Sequence, residues 1–316
     1  MDTSSITLSL MTYNIGKLKD DPQRAESILQ VINNYHPDIL ALQEITITDY
    51  QDGRVDSFVD VILEQVGYRY GCFGRTISLL EHFHLGKDLF IDGIFQGWKN
   101  WQQGNAIFAK RAFIDISDSQ KLSNGWNVPI FKPSEYLGSR DTDPRYALLT
   151  RLDYKPLNPY IINTHLTTLV GERGKEEQII QGKKEEAAKL RLEQTRKIIS
   201  LVNKHILGKG RMLFLCGDFN AMDDEACIQD ELLQKAKLVH LIPEKSEATH
   251  PKLPKPVDHI FIFPAGKCIE YQCRIVDDDI TKRASDHLPV LATLDVYEEN
   301  TNKYKALGKG VFPKES

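Results

Sequence analysis

The chain has 316 residues, of which 41% are hydrophobic and 27% are charged, and its formal net charge is −4. This composition is typical of a globular protein with room for one large domain or two small ones. The slight acidity excludes an overall basic footprint for tight nucleic-acid binding, although a local basic groove stays compatible with it.

Cysteine usage and the apolar runs bear on the compartment. The five cysteines are odd in number and no CxxC spacing occurs, which favours reduced thiols and a cytoplasmic protein. Residues 1–10 contain neither a basic n-region nor a long apolar core, so no signal peptide is expected. No apolar run approaches the length of a membrane span, so no transmembrane segment is expected either.

The first elements end in polar residues. Residues 6–13 alternate with period two and end at Asn14, which is typical of a strand. An Asp-Pro pair at 21–22 predicts the start of a helix, with the aspartate as N-cap. The apolar run from residue 38 is the next predicted strand, and it ends in Glu44.

The middle of the chain mixes regular and irregular segments. We predict a helix over 56–66 that ends at Gly67, an irregular aromatic-rich stretch over 79–103 and a strand over 104–109. The composition of 117–143, rich in Ser, Asn, Pro, Gly and Asp, predicts a long loop.

The second half repeats the pattern of strands with polar ends. Strands are predicted over 146–152 and 160–164 as a hairpin, with His165 directly after the second, and a charged helix over 175–206 follows. Later elements are a helix over 226–237, strands over 257–263, 269–276 and 291–297, and a polar tail. We predict one domain over 1–297 and a tail over 298–316.

An apolar run at residues 213–216 leads into Gly217, Asp218 and Asn220. A buried strand with a glycine at its end lets a ligand approach the backbone. Period-two geometry would point the carboxylate and the carboxamide to one side. The alternative is an ordinary turn, because all three residue types favour turns.

Many strands with helices between them predict two packed, mostly antiparallel sheets with helices outside, an α+β or α/β sandwich. Polar residues fall repeatedly at the strand ends, which indicates one shared site at one rim. They are Asn14, Glu44, His165, Asp218, Asn220, Asp258, Asp286 and His287. Taken singly, each has another explanation: Glu44 as a solvent-facing strand end, His165 as a core histidine, or Asp286 as part of a turn.

The chemistry of this set is that of hard oxygen ligands beside histidines. Carboxylates and carboxamides suit Mg²⁺ or Mn²⁺, and histidine–carboxylate pairs suit proton transfer. A hard metal, water and histidine together favour attack on phosphorus. Neither a GxSxG elbow nor a Walker loop occurs, so nothing indicates serine hydrolysis or a nucleotide-binding loop.

Six short motifs occur in a fixed order along the chain. They are Thr12-Tyr13-Asn14, Leu42-Gln43-Glu44, Asn163-Thr164-His165-Leu166, Gly217-Asp218-Phe219-Asn220, Asp258-His259-Ile260 and Ser285-Asp286-His287. This ordered set resembles the endonuclease/exonuclease/phosphatase superfamily over roughly residues 6–297. The resemblance implies a four-layered α/β sandwich of two central sheets flanked by helices.

The resemblance also implies roles for the polar residues. Glu44 resembles the main Mg²⁺ ligand, Asn14 its neighbour in the metal site and Asp286 a second carboxylate on the metal side. The pair that orients the attacking water and holds the phosphate is matched by Asp218 and Asn220.

The remaining roles concern protons and the phosphate group. His287, supported by Asp258, resembles the His–Asp pair of the family, and His165 resembles a histidine that contacts the phosphate or helps the leaving group. Whether Asp218 or His287 is the general base stays open. Arg145 resembles a phosphate-binding arginine, with a surface strand charge as the alternative, and Asn105 is a further candidate to line the site.

The expected function is Mg²⁺-dependent hydrolysis of phosphodiester bonds, of nuclease type, on nucleic acid or a phospholipid headgroup. Alternatives are a sphingomyelinase-like phospholipid hydrolase, a phosphomonoesterase and a catalytically inactive binding module on the same fold. His259 counts against the inositol polyphosphate 5-phosphatases, in which arginine usually follows the aspartate. The aromatic stretch 82–101 has three candidate roles: stacking bases, touching lipid or packing over the sandwich.

Overall fold

A computed structural model of the chain describes residues 5–16, 22–82, 97–116, 125–174, 179–245, 247–297 and 311–313. The strands of these ranges are β1 (Ser5–Asn14), β2 (Ile39–Tyr50), β3 (Val55–Ser57), β4 (Tyr70–Ser78), β5 (Trp98–Ala109), β6 (Trp126–Phe131), β7 (Arg145–Arg151), β8 (Tyr160–His165), β9 (Leu213–Asp218), β10 (Val239–His240), β11 (Asp258–Phe263), β12 (Cys268–Ile275), β13 (Val290–Tyr297) and β14 (Val311–Pro313).

The α-helices are α1 (Pro22–Tyr35), α2 (Phe58–Val61), α3 (Leu79–His82), α4 (Lys183–His205) and α5 (Asp279–Ala284). A π-helical turn, Ile62–Val66, continues α2 and ends at Gly67 in the left-handed conformation, at a φ of 83°. That end matches the prediction. A π-helix over Cys227–Lys235 occupies the helix predicted at 226–237.

The strands form two mixed sheets that are mostly antiparallel. The first sheet has eight strands in the order β14-β12-β13-β1-β2-β5-β4, with β3 paired to β2, and the second has six in the order β10-β11-β9-β8-β7-β6. Parallel pairs occur between β1 and β2, β8 and β9, and β12 and β14. The predicted pair of mostly antiparallel sheets is confirmed.

Three apolar clusters hold four layers together. Residues of both sheets fill the central one, among them Leu10 from β1 and Phe214 from β9. The outer face of the first sheet packs against α1 and α2, with Ile28 and Ile62 buried. The outer face of the second sheet packs against α4 through Ile198. Burying apolar surface on both faces stabilises each sheet, which explains the nearly continuous apolar runs of the central strands.

The predictions failed mainly at sheet edges. Strand β5 begins at Trp98, within the stretch predicted to be irregular, and β6 lies in the predicted loop 117–143. Strand β4, which was not predicted, is an edge strand of the first sheet, as β6 is of the second. Edge strands tolerate glycine and proline, so their pattern is weak: β6 contains Pro129 and a register shift beside it.

Several predicted boundaries also differ. Helix α4 begins at Lys183 instead of 175, and residues 175–178 lie outside the described residues, as does the predicted N-cap Asp21. Within the predicted tail, Val311–Pro313 pairs in parallel with β12, so the tail prediction is wrong for these residues. The other residues of 298–316 lie outside the described ranges.

Four cysteines, Cys72, Cys216, Cys227 and Cys273, are free thiols, as the sequence predicted. Burial raises the pKa of Cys72 to about 11. In the part of the chain that the structure describes, no helix combines the length and the apolar character needed to cross a membrane.

Candidate active site

Sheet register brings the predicted polar residues to one rim. At the end of β9, Asp218 lies beside His165 of the parallel strand β8 and opposite Asp258 of the antiparallel strand β11. In the first sheet, Asn14 ends β1 and is paired with Gln43 of β2. Strand ends from both sheets therefore meet at the same edge of the sandwich.

Glu44 reaches this rim through an irregularity in β2. The register between β2 and β5 shifts between Leu42 and Ile45, and Glu44 has a φ of 60°. A left-handed conformation is unfavourable for a residue with a side chain and recurs at functional sites. The bulge re-aims a side chain that a regular strand would direct elsewhere.

The Asp218 carboxylate is the centre of the constellation. Its Oδ2 accepts a hydrogen bond from Asn14 Nδ2 at 3.0 Å and lies 3.4 Å from His165 Nε2 and 3.7 Å from His287 Nε2. Its Oδ1 accepts from the backbone N–H of Asn220 at 2.8 Å. One nearly inaccessible carboxylate thus joins groups from both sheets.

Glu44 faces the cleft with amide partners. Asn14 Nδ2 donates to its Oε1 at 3.2 Å and Gln103 Nε2 to its Oε2 at 3.3 Å. Burial raises the pKa of Glu44, while the Asn14 hydrogen bond and the charges of His287 and Arg145 oppose the shift. A Cβ atom added to Gly16 would lie 2.6 Å from Glu44 Oε2, so this glycine leaves room at the carboxylate.

His287 and Asp258 form the predicted pair. Their closest atoms, Nδ1 and Oδ2, are 2.8 Å apart, and both residues are buried. Burial disfavours the charged ring, but the carboxylates of Asp258, Asp218 and Asp286 outweigh it and raise the pKa of His287 to about 10. The pair therefore holds the ring in one orientation and keeps it protonated near neutral pH.

His165 has the opposite electrostatic character. Burial and the nearby Arg145 charge lower its pKa to about 3, although Asp218 favours the charged form. The ring is therefore neutral at physiological pH. Two histidines that flank the same carboxylate are thus poised in different protonation states.

Asn220 is held by contacts on three sides. Its Nδ2 donates to the Leu166 carbonyl at 3.1 Å, and its backbone has a φ of 48°. Arg173 donates to the Asn220 carbonyl and, at 3.5 Å, to Oδ1. These contacts fix the carboxamide beside Asp218.

Of the other candidates, Arg145 is buried, lines the cleft and lies 3.4 Å from an Asp143 carboxylate oxygen. A buried site on the cleft contradicts its alternative interpretation as a surface strand charge. Asn105 is also buried and donates to the Tyr146 carbonyl at 3.2 Å in a narrow recess beside Glu44. Asp286 is partly exposed and lines the cleft next to His287.

The cleft has a volume of about 430 Å³, within the usual range for ligand sites. Sequence reasoning singled out neither Gln103, Arg173 nor His250, all of which line it. Gln103 lies within residues 79–103, which the sequence predicts to be irregular, so no strand pattern pointed to it. Arg173 and His250 lie in loops, where no periodicity indicates the direction of a side chain.

A buried ionic cluster supports the loop that carries Arg173. Arg191 of α4, almost fully buried, pairs with Glu172 at 2.7 Å and with Glu225 at 2.9 Å. Arg173 lies 3.3 Å from the same Glu172 carboxylate. Gln194, one turn from Arg191, donates to Thr167 Oγ1 at 2.6 Å. Helix α4 therefore anchors the loop against the second sheet.

The donor set fits a hard divalent cation. Glu44 and Asp286 line the cleft and offer carboxylate oxygens. Asn14 lies beside Glu44, where its Nδ2 donates to Oε1 and its Oδ1 accepts from the backbone N–H of Gly16. The raised pKa of Glu44 marks a carboxylate that a cation would stabilise in its charged form. Atoms of Asp218, Asp258 and His287 also lie within 4.8 Å of one another, but the His287–Asp258 hydrogen bond already occupies one ligand atom of each residue.

Comparisons with solved structures agree with this fold. The chain is similar to an endonuclease/exonuclease/phosphatase from Beutenbergia cavernae, with 19% identity, a TM-score of 0.61 and coverage of 92% of this chain and 72% of that chain. The human Nocturnin catalytic domain with bound sulfate anion has 20% identity, a TM-score of 0.61 and coverage of 93% and 97%. Truncated TDP2 from Caenorhabditis elegans has 16% identity, a TM-score of 0.56 and coverage of 93% and 98%.

A search of curated proteins finds no match. The model of the Endonuclease/Exonuclease/phosphatase family matches residues 11–287, which include all the site residues described above. That match spans most of the chain, and the structural neighbours have the same α/β sandwich fold as this chain. The chain therefore belongs to the endonuclease/exonuclease/phosphatase family.

Proposed function

We propose that this chain is a Mg²⁺-dependent hydrolase of phosphodiester bonds, of the nuclease type. The observation that carries the proposal is the position of Asp218, whose Oδ2 lies 3.0 Å from Asn14 Nδ2, 3.4 Å from His165 Nε2 and 3.7 Å from His287 Nε2. A carboxylate between candidate cation ligands and two histidines suits the activation of water for attack on phosphorus.

Glu44, with Asn14 and Asp286 beside it, would hold the cation, and Mn²⁺ would suit the same oxygen donors. A bound divalent cation supplies electrostatic stabilisation of charge on the phosphoryl oxygens. Glu44 directs its carboxylate into the cleft from the bulge in β2. Asn14 Nδ2 donates to Glu44 Oε1 at 3.2 Å and to Asp218 Oδ2 at 3.0 Å. It would therefore fix the position of one carboxylate relative to the other.

Proton handling follows from the charge states of the side chains. Because the carboxylates of Asp258, Asp218 and Asp286 raise the pKa of His287, its charged form is favoured at neutral pH, and we assign the role of base to Asp218 instead. Asp218 then accepts the proton of the attacking water, and Asn220 orients that water. The charged His287 ring, oriented by Asp258, stabilises negative charge as it develops on the phosphate.

The neutral His165 ring offers one N–H to the phosphate or the leaving oxygen. Arg145, in the same part of the cleft, adds a fixed positive charge that favours a phosphate oxygen. The substrate is a phosphodiester of nucleic acid or of a phospholipid headgroup, and we expect the protein to act in the cytoplasm.

The test is an activity screen of purified protein with and without divalent cations. Substrates should include DNA, RNA, dinucleotides, sphingomyelin and phosphoinositides. We expect turnover of a phosphodiester that needs Mg²⁺ or Mn²⁺ and that Asp218→Asn strongly reduces. Turnover that persists in EDTA would contradict the metal role. If the protein cleaves none of these substrates, the result would favour an inactive binding module.

A further inference from the structure

We propose that an open groove beside the catalytic cleft binds an uncharged nucleobase of the substrate. This inference rests on the proposed function, because it narrows the substrate class to phosphodiesters that carry a nucleoside. The groove has a volume of about 390 Å³. Residues of β4, β5, β6 and β7 line it: Phe73, Arg75, Thr76, Gln102, Asn127 and Tyr146.

A narrow recess lies between the groove and the cleft. The recess shares Glu44, Arg145 and His165 with the cleft, and it shares Thr76 with the groove. Asn105, which lines the recess, donates to the carbonyl of Tyr146 in the groove. We therefore place the group attached to a phosphate in the cleft on the groove side of this recess.

The lining combines ring faces with hydrogen-bonding groups. Phe73 and Tyr146 are both partly exposed and line the groove, and Phe73 also packs against the apolar cluster on the outer face of the first sheet. The amide of Gln102 offers donors and an acceptor to the edge of a planar ring, and Asn127, whose Nδ2 also donates to the Arg75 carbonyl, offers its remaining N–H. Aromatic stacking with polar contacts at the ring edge is how proteins hold unpaired bases.

Charge distinguishes between ligands for this groove. Arg75 forms an ion pair with Glu81, and both residues line the groove. The two charges offset each other, so the groove favours a neutral group over another phosphate. A fatty acyl chain would have to desolvate the ion pair and the amides without replacing their hydrogen bonds. A nucleobase is neutral and can form hydrogen bonds with these polar groups, so it fits the groove better than a phosphate or an acyl chain.

Gly104 keeps space for the ring of Phe73. A Cβ atom at Gly104 would lie 2.9 Å from Cε2 of Phe73 and 2.2 Å from the carbonyl oxygen of Gly74. Real Cβ atoms do not approach so closely, so a side chain there would displace the ring or the neighbouring strand. The absence of a side chain at Gly104 thus preserves both the strand pairing and the ring at the groove.

Kinetics with matched substrates test the groove. The substrates are a dinucleotide and two analogues in which one base or the other is replaced by hydrogen, assayed with wild type, Tyr146→Ala and Tyr146→Phe. In wild type, removal of the base on one side should lower kcat/KM by roughly tenfold or more, as expected for loss of one base–aromatic stack. Tyr146→Ala should lower kcat/KM for the intact dinucleotide by a similar factor. On the analogue that lacks the groove-bound base, its kcat/KM should equal that of wild type. Tyr146→Phe should behave like wild type on all substrates.

Tyr70→Ala is the matched control. Tyr70 is an exposed tyrosine at the start of β4, where its ring contacts Phe113 outside the groove. Its variant should resemble wild type on all three substrates. Equal kcat/KM values for Tyr146→Ala and Tyr70→Ala on the dinucleotide would overturn the proposal. So would equal losses for Tyr146→Ala on intact and base-free substrates.

A binding measurement separates the groove from catalysis. Saturation-transfer NMR with adenosine, in metal-free buffer, should show contact with wild type and Tyr70→Ala but not with Tyr146→Ala. If the protein cleaves phosphodiesters and the adenosine signals are the same in all three proteins, the groove proposal fails and the proposed function stands. If it cleaves no phosphodiester and Tyr146→Ala alone loses the signals, the proposed function fails and the groove stands.

Discussion

The two sheets contribute different chemistry to one cleft. From the first sheet, Glu44 presents a carboxylate whose hydrogen-bond donors are the neutral amides of Asn14 and Gln103. From the second, Asp258 presents a carboxylate that meets the His287 ring at 2.8 Å. The second carboxylate has a protonated partner within the protein, whereas the first is left with a raised pKa.

The difference between the two carboxylates indicates that cation binding and proton handling lie on different sides of the cleft. The hydrogen-bond donors of Glu44 are neutral, and its pKa stays raised despite the charges of His287 and Arg145, so the first-sheet side favours an external cation. The carboxylate on the second-sheet side instead holds a ring in a charged state. Asp218 is common to both sides because it contacts Asn14 as well as the two histidines.

Loss of the shared carboxylate should have the largest effect. Asp218→Asn keeps the side-chain shape but removes the charge that faces both histidines, and we expect kcat to fall by about 10²–10⁴-fold. Steady-state kinetics would measure this, with circular dichroism to verify folding. Asp223→Asn, at an exposed aspartate paired with Lys255, is the control and should stay near the wild-type rate. Near wild-type turnover by Asp218→Asn would remove Asp218 from the mechanism.

The second-sheet side should behave as a unit. Asp258→Asn and His287→Ala should each reduce kcat by about 10²-fold or more, and the double variant should lose little beyond the larger single loss, because residues that act together are not additive. A double-mutant cycle from steady-state rates measures the coupling. Fully additive losses would mean that Asp258 acts elsewhere and that the pair does not function as a dyad.

Arg173 should have a smaller effect, since it acts through Asn220. Arg173→Ala removes the hydrogen bonds that hold Asn220, and because this support is indirect we expect a loss of about tenfold in kcat/KM, which corresponds to about 1.4 kcal/mol. Arg173→Lys should restore part of that activity through a single donor. The control is Arg196→Ala, which removes an exposed arginine of α4 paired with Glu231. This variant should keep the wild-type rate. An Arg173→Ala enzyme as active as Arg196→Ala would show that Asn220 needs no such support.

The two histidines should give opposite pH dependences of stability. The pKa of His287 is raised from 6.5 to about 10, so its contribution is complete below pH 6.5 and disappears as pH rises through 10. Destabilisation by His287→Asn should therefore shrink from pH 6 toward pH 10. The pKa of His165 is lowered to about 3, so His165→Asn should gain stability relative to wild type as pH falls from 6.5 toward 3.

Urea unfolding across this pH range measures both effects. A destabilisation by His287→Asn that stays constant or grows with pH would contradict the charged state assigned to its ring. A constant difference for His165→Asn between pH 6.5 and 3 would likewise contradict the neutral state of that ring.

Much of the fold and site was accessible from sequence because central strands are buried on both faces. Their apolar runs stop where polar residues reach the rim, which is why Asn14, His165 and Asp218 were predictable. Glu44 was found at the end of the apolar run from residue 38, but the bulge within β2 that aims it was not predicted, since a register shift depends on pairing with β5. Pairing between distant strands leaves no periodic signal in either strand alone.

The missed features depend on tertiary contacts in the same way. Edge strand β4 contains two glycines and an arginine, so its strand character follows from its pairing with β5 rather than from its own sequence pattern. Helix α5, capped by Asp278, is too short to show helical periodicity. Arg173 is placed by a buried ionic cluster with Glu172 and Arg191, whose charges resemble a solvated helix surface in the sequence.

The most direct test of this division of labour is cation binding to three proteins. Titration calorimetry with Mg²⁺, or Mn²⁺ followed by electron paramagnetic resonance, would compare wild type, Glu44→Gln and Asp258→Asn in the absence of substrate. We expect Glu44→Gln to lose most of the cation affinity, because it removes a charged oxygen ligand, and Asp258→Asn to bind the cation as wild type does. Unchanged cation affinity in Glu44→Gln, or an equal loss in Asp258→Asn, would contradict this division of labour.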